Sequence, residues 1–228
     1  MEIEIVYEDE WMVAVNKPSN LLVHHSYYAR NIEETSLTEL LRSQFQQPVF
    51  PIHRLDRKTS GLILFAKDQL IVPDFQALFT MRQIEKKYEA LLRGHTPDEL
   101  LIDSPVKNDR GNYRDAETKL LTIRKFELDI PVIPYDVSRY SHVEFIPLTG
   151  RMHQLRKHAN KISHPIIGDP KYGNRHHNHM FIEQLEIPEL FLHAGSLAFR
   201  HPITNEHLKL AAARPDFWSK FFNIARIA

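Results

Sequence analysis

The order of strand-like segments along the chain is the feature that most constrains its fold. Segments 3–6 and 11–15 lie on either side of a polar Glu-Asp-Glu turn, and segments 117–126 and 139–146 are separated only by a loop. Strands outnumber helices, and neighbouring strands of this kind are typical of α+β proteins rather than of doubly wound ones. The sequence therefore predicts a mixed, mostly antiparallel central sheet flanked by helices and loops.

Apolar periodicity places the other elements. Residues 62–66 (LILFA) form a short continuous apolar run after Gly61, which indicates a strand buried on both faces. Alternating and helical patterns predict further strands at 87–93 and 190–200 and helices at 37–45, 74–82, 152–162 and 215–226. Polar or proline-punctuated stretches predict surface loops at 102–115, 129–138 and 170–180.

Composition limits the class of protein. The 228 residues include no cysteine, which excludes disulfides and thiolate metal sites. The amino end, MEIEIVYEDE, is acidic and unlike a signal peptide, and no run approaches the ~18 apolar residues that cross a bilayer. We therefore expect a cytoplasmic protein without a membrane partner, folded as a single domain over residues 1–228.

The distribution of charge matters more than its total. The chain has 29 basic and 29 acidic residues, and a net charge of zero argues weakly against a nucleic-acid partner. The bases are nevertheless clustered, and clusters that meet in the fold would form a positive face that the neutral total hides. These clusters are His53, Arg54, Arg57 and Lys58; Arg82, Lys86, Lys87 and Arg93; and Arg151, His153, Arg156, Lys157 and His158.

The segment His53-Arg54-Leu55-Asp56-Arg57-Lys58-Thr59-Ser60-Gly61 directly precedes the predicted buried strand and is the most unusual stretch of the chain. One carboxylate stands among four potential cations, a neighbourhood that keeps Asp56 ionised and positioned. A turn in which Asp56 caps backbone groups and the bases are solvated explains the same pattern equally well.

A second candidate segment, Thr149 to His158, opens the predicted helix 152–162. Thr149 could cap that helix and Gly150 could form the turn before it. Met152, Leu155, Ala159 and Ile162 form the expected apolar stripe, and Arg156 lies at the border of this stripe, where it could pair with a carboxylate. A cationic helix face with no special role is the alternative that periodicity alone favours.

A third candidate, Tyr88, shares a strand face with Ala90 and Leu92 in the segment KKYEALLRG. Most tyrosines placed in this way are core residues whose hydroxyl reaches water. The pattern alone therefore favours a structural role for Tyr88.

Two weaker candidates remain. The histidines of the segment His176-His177-Asn178-His179 could bind zinc, but adjacent histidines on a loop rarely supply four tetrahedral ligands, so a surface loop is the favoured interpretation. Asp169 is a second available carboxylate that could form a glycosidase pair with Asp56. Neither GxGxxG nor GxxxxGK[ST] occurs, so no glycine-rich phosphate loop is predicted.

At these segments the chain resembles the RluA family of pseudouridine synthases. HRLDRKTSGLILFAK is similar to the family's aspartate motif, KKYEALLRG to its tyrosine motif, and TGRMHQLRKHANKISHPIIGDPKYG to its arginine motif and the segment that follows. The opening EIVYEDEWMVAVNKPSNLLVHHS and the later LHAGSLAFRHP are also similar. Asn20 stands where the family often has glycine, and asparagine also tolerates left-handed turns.

The resemblance implies a pseudouridine synthase fold with a central RNA-binding cleft, an activity that needs no cofactor or metal, and RNA as the partner of a monomeric enzyme. It makes Asp56 the catalytic aspartate, Tyr88 the residue that stacks on the target base, and Arg156 the partner of Asp56. Leu155 would lie beneath the base and Arg54 would help to displace the flipped nucleotide. The remaining RNA contacts would be His53, Leu55, Arg57, Arg151, His153 and Lys157.

The likeness is greatest to a tRNA-modifying branch that acts on uridine 65 in the acceptor-stem region of certain tRNAs. A start at the catalytic domain without an S4-type RNA-binding domain, the segment Ser138-Arg139-Tyr140, and HPIIGDPKYGN carry this likeness. Three alternatives stay open: an rRNA-modifying member of the family, an RNA-binding protein without chemistry, and a nucleoside- or glycoside-hydrolysing enzyme that uses Asp56 and Asp169.

Overall fold

Strands form most of the regular structure in the computed structural model, which describes residues 1–25 and 34–228. Ser26, the last residue of the opening segment, lies outside the described residues. The strands are β1 Glu4–Glu8, β2 Met12–Lys17, β3 Phe50–Pro51, β4 Ser60–Ala66, β5 Ile84–Arg93, β6 Glu99–Asp103, β7 Val106–Lys107, β8 Tyr113–Arg114, β9 Glu117–Leu128, β10 Ser138–Pro147, β11 Leu192–Arg200, β12 His207–Ala211 and β13 Arg226–Ile227. The helices are α1 Leu37–Phe45, α2 Val72–Thr80, α3 Gln154–Lys161, α4 Arg175–Glu183 and α5 Asp216–Ile224.

The first of two units comprises Met1–Lys86 and Ala194–Arg214. Its sheet runs β1-β2-β4-β11, with β3 on β4 and β12 on β11. β4 is buried along its whole length, which confirms the strand predicted from LILFA. Helix α1 begins with a capping box in which Ser36 and Glu39 satisfy each other's backbone N–H groups. The core joins residues of β2, β4, α2 and the two late strands: Met12, Leu62, Leu64, Phe75, Phe199 and Leu210.

The second unit comprises Lys87–His193 and Pro215–Ala228. Its strands run β5-β10-β9-β13, β6 also pairs with β9, and β7 and β8 form a separate hairpin. The pairings β5–β10, β10–β9 and β6–β9 are all antiparallel, in a register that places Tyr88 opposite Phe145. Aromatic rings from β10, α4, α5 and the residue before β11 fill the core: Tyr140, Phe145, Phe181, Phe191, Trp218 and Phe221.

The predicted fold class, a mixed and mostly antiparallel sheet flanked by helices, is confirmed. The single domain expected over residues 1–228 stays a prediction. None of the helices in residues 1–25 and 34–228 is long and apolar enough to span a membrane.

Two of the predicted loops contain regular structure, so those predictions were wrong. The stretch 170–180 runs into α4, which the side chain of Asn174 caps by accepting hydrogen bonds from the N–H groups of His176 and His177. The buried face of α4 is formed by His177, Met180 and Phe181. Because most of the residues before Met180 are polar, the apolar residues alone did not indicate a helix. The stretch 102–115 contains the end of β6 and the hairpin β7–β8.

Candidate active site

Asp56 lies in the turn between β3 and β4 of the first unit. Its carbonyl oxygen accepts a hydrogen bond from Thr59 N at 3.0 Å, which closes the turn. Asp56 is half-buried and Arg54 is exposed, whereas Thr59 and Ser60 are buried and lead directly into β4. The carboxylate of Asp56 therefore lies just before the start of a buried strand and within reach of solvent.

The Asp56 turn is fastened to the segment 17–20 by three hydrogen bonds. Lys17 Nζ donates to Arg57 O at 2.9 Å, Ser19 Oγ donates to Lys58 O at 2.8 Å, and Arg57 Nε donates to Asn20 O at 3.1 Å. Asn20 has a φ of 64°, so the asparagine does adopt the left-handed conformation expected of it. These bonds fix the backbone that follows Asp56 with respect to the end of β2.

Lys17 is a residue of this region that the sequence analysis did not identify. It is fully buried, and its Nζ also donates to Pro18 O and Leu21 O, both at 2.9 Å. Burial lowers the pKa of Lys17 to about 7, while the nearby Asp56 carboxylate acts to raise this pKa. The three carbonyl acceptors match the three N–H donors of an ammonium group.

His53 supports the Asp56 turn as a neutral ring. Its Nε2 accepts a hydrogen bond from Leu64 N at 3.1 Å, and its ring lies 4.7 Å from that of Phe79. Burial, and to a lesser extent the charge of Lys86, lower the pKa of His53 to about 3. His53 is therefore not one of the cations near Asp56 at neutral pH, and its assignment as an RNA contact stays a prediction.

Tyr88 lies on β5 of the second unit, opposite Phe145 of β10. It is half-buried and packs against the core, whereas Ala90 and Leu92 on the same strand face are fully buried. The ring thus stands at the edge of the core, and the pairing of β5 with β10 fixes the backbone of Tyr88. This placement suits an aromatic side chain that receives a flat ligand.

Arg156 lies on α3 and forms a buried ion pair with Asp169. Nε donates to Oδ2 at 2.7 Å and Nη2 donates to Oδ1 at 2.9 Å. The side chain of Arg156 is 8% exposed and that of Asp169 is 1% exposed. A guanidinium has five N–H donors, so these two bonds do not exhaust it. The expected pair of Arg156 with Asp56 joins residues of different units and stays a prediction.

Asp169 is not available as the second acid of a glycosidase. Burial raises its pKa, but hydrogen bonds from the Arg156 side chain and from the N–H groups of Tyr172 and Lys171 outweigh this, so the pKa falls below the ordinary value. A carboxylate that is buried, ionised and bound to an arginine cannot protonate a leaving group. The hydrolase alternative loses its second carboxylate.

The start of α3 differs from the prediction. The helix begins at Gln154, and His153, with a φ of 53°, occupies the capping position without a side-chain hydrogen bond. Thr149 instead donates to Gln154 Oε1 at 2.8 Å, so its predicted capping role was wrong. Met152 precedes the helix and is 37% exposed, so it does not belong to the buried stripe, whereas Leu155 and Ala159 do.

Gln154, another residue that the sequence analysis missed, connects the segment before α3 to β9. Its Oε1 also accepts from Arg151 N at 2.9 Å, and its Nε2 donates to Glu117 O at 2.9 Å and Thr118 Oγ1 at 3.0 Å. All four hydrogen-bonding positions of this buried amide are used, which fixes the first residue of α3 to the start of β9.

The third basic cluster of the sequence divides between surface and interior. Arg151 is exposed and its Nε donates to Asp115 O, Lys157 Nζ donates to Lys107 O, and His153 Nδ1 contacts the Tyr172 hydroxyl at 3.1 Å. His158 is 1% exposed and bonded to Thr118 and Ser104, and burial lowers its pKa, so it is a neutral structural residue.

The histidine-rich segment supports packing. His177 is buried and its Nδ1 lies 2.9 Å from the Tyr140 hydroxyl, while His179 pairs with Glu183 along α4. Burial lowers the pKa of His177 to about 4. Within the described part of the chain, no group of three or more histidine, aspartate and glutamate side chains could hold a metal ion.

Comparison with known proteins relates the chain to one family. The model of that family, RNA pseudouridylate synthase, matches residues 11–161. The tRNA pseudouridine synthase C of Pasteurella multocida is 39% identical over 98% of this chain and 96% of its own length. The protein of the same name from Haemophilus influenzae is 39% identical over 97% of both chains.

Solved structures give the same relationship. Human RNA Pseudouridylate Synthase Domain Containing 1 superposes with a TM-score of 0.74 and 26% identity over 94% of this chain and 84% of that one. Human RNA Pseudouridylate Synthase Domain Containing 4 superposes with a TM-score of 0.74 and 25% identity over 99% and 94% of the two chains.

Proposed function

Because the chain belongs to the RNA pseudouridylate synthase family, we propose that it converts one uridine of tRNA to pseudouridine, at position 65 in the acceptor and T-stem region. The observation that carries this proposal is the 39% identity to tRNA pseudouridine synthase C over 98% of the chain. The tRNA is the substrate that this name gives for the relatives. The position rests on the resemblance described above.

The chemistry breaks the N1–C1′ bond of uridine, turns the uracil, and joins its C5 to the same C1′. The proton leaves C5 and N1 gains one, so the product is an isomer and no oxidant, reductant or energy source is consumed. The ribose becomes electron-poor when the first bond breaks, and an ionised carboxylate beside it can assist. Asp56 attacks C1′ as a nucleophile or removes the 2′ proton to give a glycal.

The surroundings of Asp56 support its role. The two residues that follow it are anchored by Lys17 and Ser19, and anchored groups lose little entropy when they meet a substrate. The side chain is half-buried, so a ribose can approach it. Arg156 is proposed to keep the carboxylate ionised and oriented.

Tyr88 is proposed to hold the detached uracil. An aromatic ring offers its face to any base, and such stacking contributes about 1–3 kcal/mol. Tyr88 is held at the core edge by its position opposite Phe145, so the ring does not have to be ordered when RNA binds. Leu155, buried on α3, is proposed to lie beneath the base.

A uridine in a paired stem must leave the helix before Asp56 can reach its ribose. The exposed Arg54, two residues before Asp56, is proposed to fill the place of the displaced nucleotide. Unstacking costs a few kcal/mol, which phosphate contacts must offset. Exposed Arg57 and Arg151 and the partly exposed Lys157 are candidates for those contacts.

The product of the reaction tests the proposal. Purified protein is incubated with tRNA transcripts, and pseudouridine is mapped by carbodiimide labelling and reverse transcription. The expected result is one new stop at position 65 with no change in RNA mass, and no stop in a transcript that carries cytidine there. A free base or an abasic site would support a hydrolase. A pseudouridine missing from the rRNA, and not from the tRNA, of cells that lack the gene would assign the chain to another branch.

A further inference from the structure

The carboxylate of Asp169 accepts hydrogen bonds from an arginine side chain as well as from its own turn. It lies between α3 and α4, is 1% exposed, and receives four N–H groups. Oδ2 accepts from Arg156 Nε at 2.7 Å; Oδ1 accepts from Arg156 Nη2 at 2.9 Å, Lys171 N at 2.9 Å and Tyr172 N at 3.0 Å. The carboxylate therefore connects the turn 169–172 to the arginine of the third motif.

The Asp169 turn is itself rigid. Its carbonyl oxygen accepts from Gly173 N at 3.1 Å and from Asn178 Nδ2 at 2.9 Å, and Asn178 Oδ1 accepts from Gly168 N at 2.9 Å. Asn178 belongs to α4, so the turn is fixed to a helix on one side. Movement of the carboxylate would have to break several of these bonds together.

The two bonds to Arg156 fix the orientation of its guanidinium plane. An arginine side chain has several rotatable bonds, and a bidentate contact through Nε and Nη2 selects one arrangement of the planar group. The Tyr172 ring lies 5.2 Å from the guanidinium carbon and limits movement out of that plane. The Nη1 edge of Arg156 thereby has a defined direction.

We propose that Asp169 is a positioning residue of the isomerase, which holds the guanidinium of Arg156 in the orientation needed to act on the Asp56 carboxylate. This proposal rests on the proposed function. Asp169 has no exposed surface with which to bind RNA, so its effect on catalysis must pass through Arg156. Removal of one member of a buried ion pair also destabilises a fold, so the test has to separate stability from catalysis.

Asp169→Asn tests the proposal because it changes the contact with Arg156 Nε and can keep the contacts with the turn. The amide oxygen can still accept from Lys171 N and Tyr172 N, whereas the amide NH2 group would face Arg156 Nε and the charge is lost. We expect single-turnover pseudouridine formation and kcat to fall about tenfold to a hundredfold, as for a catalytic group displaced by about 1 Å. KM for tRNA should change by less than about threefold.

The matched control is Thr118→Val, which removes hydrogen bonds that hold α3 but leaves the ion pair of Arg156 with Asp169 intact. Thr118 is fully buried and its hydroxyl binds Gln154 and His158, so its removal perturbs the same helix. Its kcat should stay within about twofold of the wild-type value even where its melting temperature falls as far as that of Asp169→Asn. Equal losses of kcat in both variants would reduce Asp169 to a structural residue and overturn the proposal.

Arg156→Gln supplies the second test. If Asp169 acts only through Arg156, adding Asp169→Asn to Arg156→Gln should not lower kcat further. A full additional tenfold loss would overturn the proposal. If Asp169→Asn does not fold, Asp169→Glu decides, because it keeps the charge and moves the carboxylate by one methylene; a wild-type kcat in that variant would contradict the proposal.

Failure of this proposal is distinguishable from failure of the proposed function. An active wild-type protein with a wild-type kcat in Asp169→Asn refutes the positioning role alone. A wild-type protein that forms no pseudouridine in any RNA refutes the proposed function and the positioning role with it.

Discussion

Replacing Gly61 by alanine should strongly destabilise the first unit, because a Cβ at this position has no room. Gly61 has a φ of 109°, a conformation that residues with a Cβ rarely adopt. A Cβ at this position would contact the carbonyl oxygen of Ala194 and would lie 2.6 Å from Ala194 N. These neighbours are backbone atoms of a buried strand, so they cannot rotate away.

The size of the effect follows from two contributions. Strain at a positive φ costs about 1–3 kcal/mol, and forcing an extra methyl group into a packed core costs about 1–3 kcal/mol. The free energy of unfolding should therefore fall by about 2–6 kcal/mol, a large share of the about 5–15 kcal/mol that stabilises a typical protein. Because Gly61 is the second residue of β4, directly after the Asp56 turn, activity should fall as well.

Gly111→Ala is the matched control. Gly111 has a φ of 85°, but a Cβ there would meet only Lys107 Cε, at 3.6 Å, in the exposed loop between β7 and β8. Only the cost of the positive φ remains, about 1–2 kcal/mol. Urea unfolding of the two variants, followed by tryptophan fluorescence and circular dichroism, measures the difference. Equal losses of unfolding free energy in the two variants would refute the steric argument.

Three further predictions concern base stacking on Tyr88, phosphate binding by Arg151 and the protonation of His177. Tyr88→Leu should weaken single-turnover catalysis by about 1–3 kcal/mol of lost stacking, whereas Tyr88→Phe should retain most of the stacking, as measured by rates on the same tRNA. RNA affinity should fall as salt rises, and Arg151→Gln should make the slope of log affinity against log salt shallower by about 1 if Arg151 contacts a phosphate; an unchanged slope would exclude that contact. Burial lowers the pKa of His177 to about 4 from an ordinary 6.5, so between these values the unfolded chain binds more protons than the folded one. The free energy of unfolding should therefore fall as pH drops from 6.5 to 4, by up to about 1.4 kcal/mol per pH unit from this group, and His177→Gln should flatten the dependence in urea unfolding at a series of pH values.

The sequence predicted those elements whose apolar spacing is explicit. LILFA became β4 and LTELLRSQF became α1, because an unbroken apolar run and an apolar stripe at helical spacing each fit one type of element. Helix α4 was missed because its buried face includes His177, a residue usually assigned to a surface. That histidine is buried because Tyr140 supplies its hydrogen-bond partner, and no local pattern reveals a partner so distant in sequence.

For the candidate site, the motifs identified the residues but not their supports. A lysine such as Lys17 is normally exposed, and only the fold brings Arg57 O and two further carbonyl oxygens around its Nζ. The ion pair of Arg156 with Asp169 likewise depends on the turn that follows α3. Both side chains were candidates from the sequence, but Asp169 was considered there as a catalytic acid. The structure instead shows Asp169 buried and paired with Arg156.

The most direct test of the account is the activity of Asp56→Asn. The substitution keeps the size of the side chain and removes the ionised carboxylate, and Asp74→Asn, at an exposed position of α2, controls for the loss of one negative charge. Pseudouridine formation is measured under single turnover, together with the Kd for tRNA. We expect no pseudouridine from Asp56→Asn, a Kd within about threefold of the wild-type value, and full activity from Asp74→Asn. Pseudouridine formation by Asp56→Asn at the wild-type rate would contradict the assignment of Asp56 as the catalytic carboxylate.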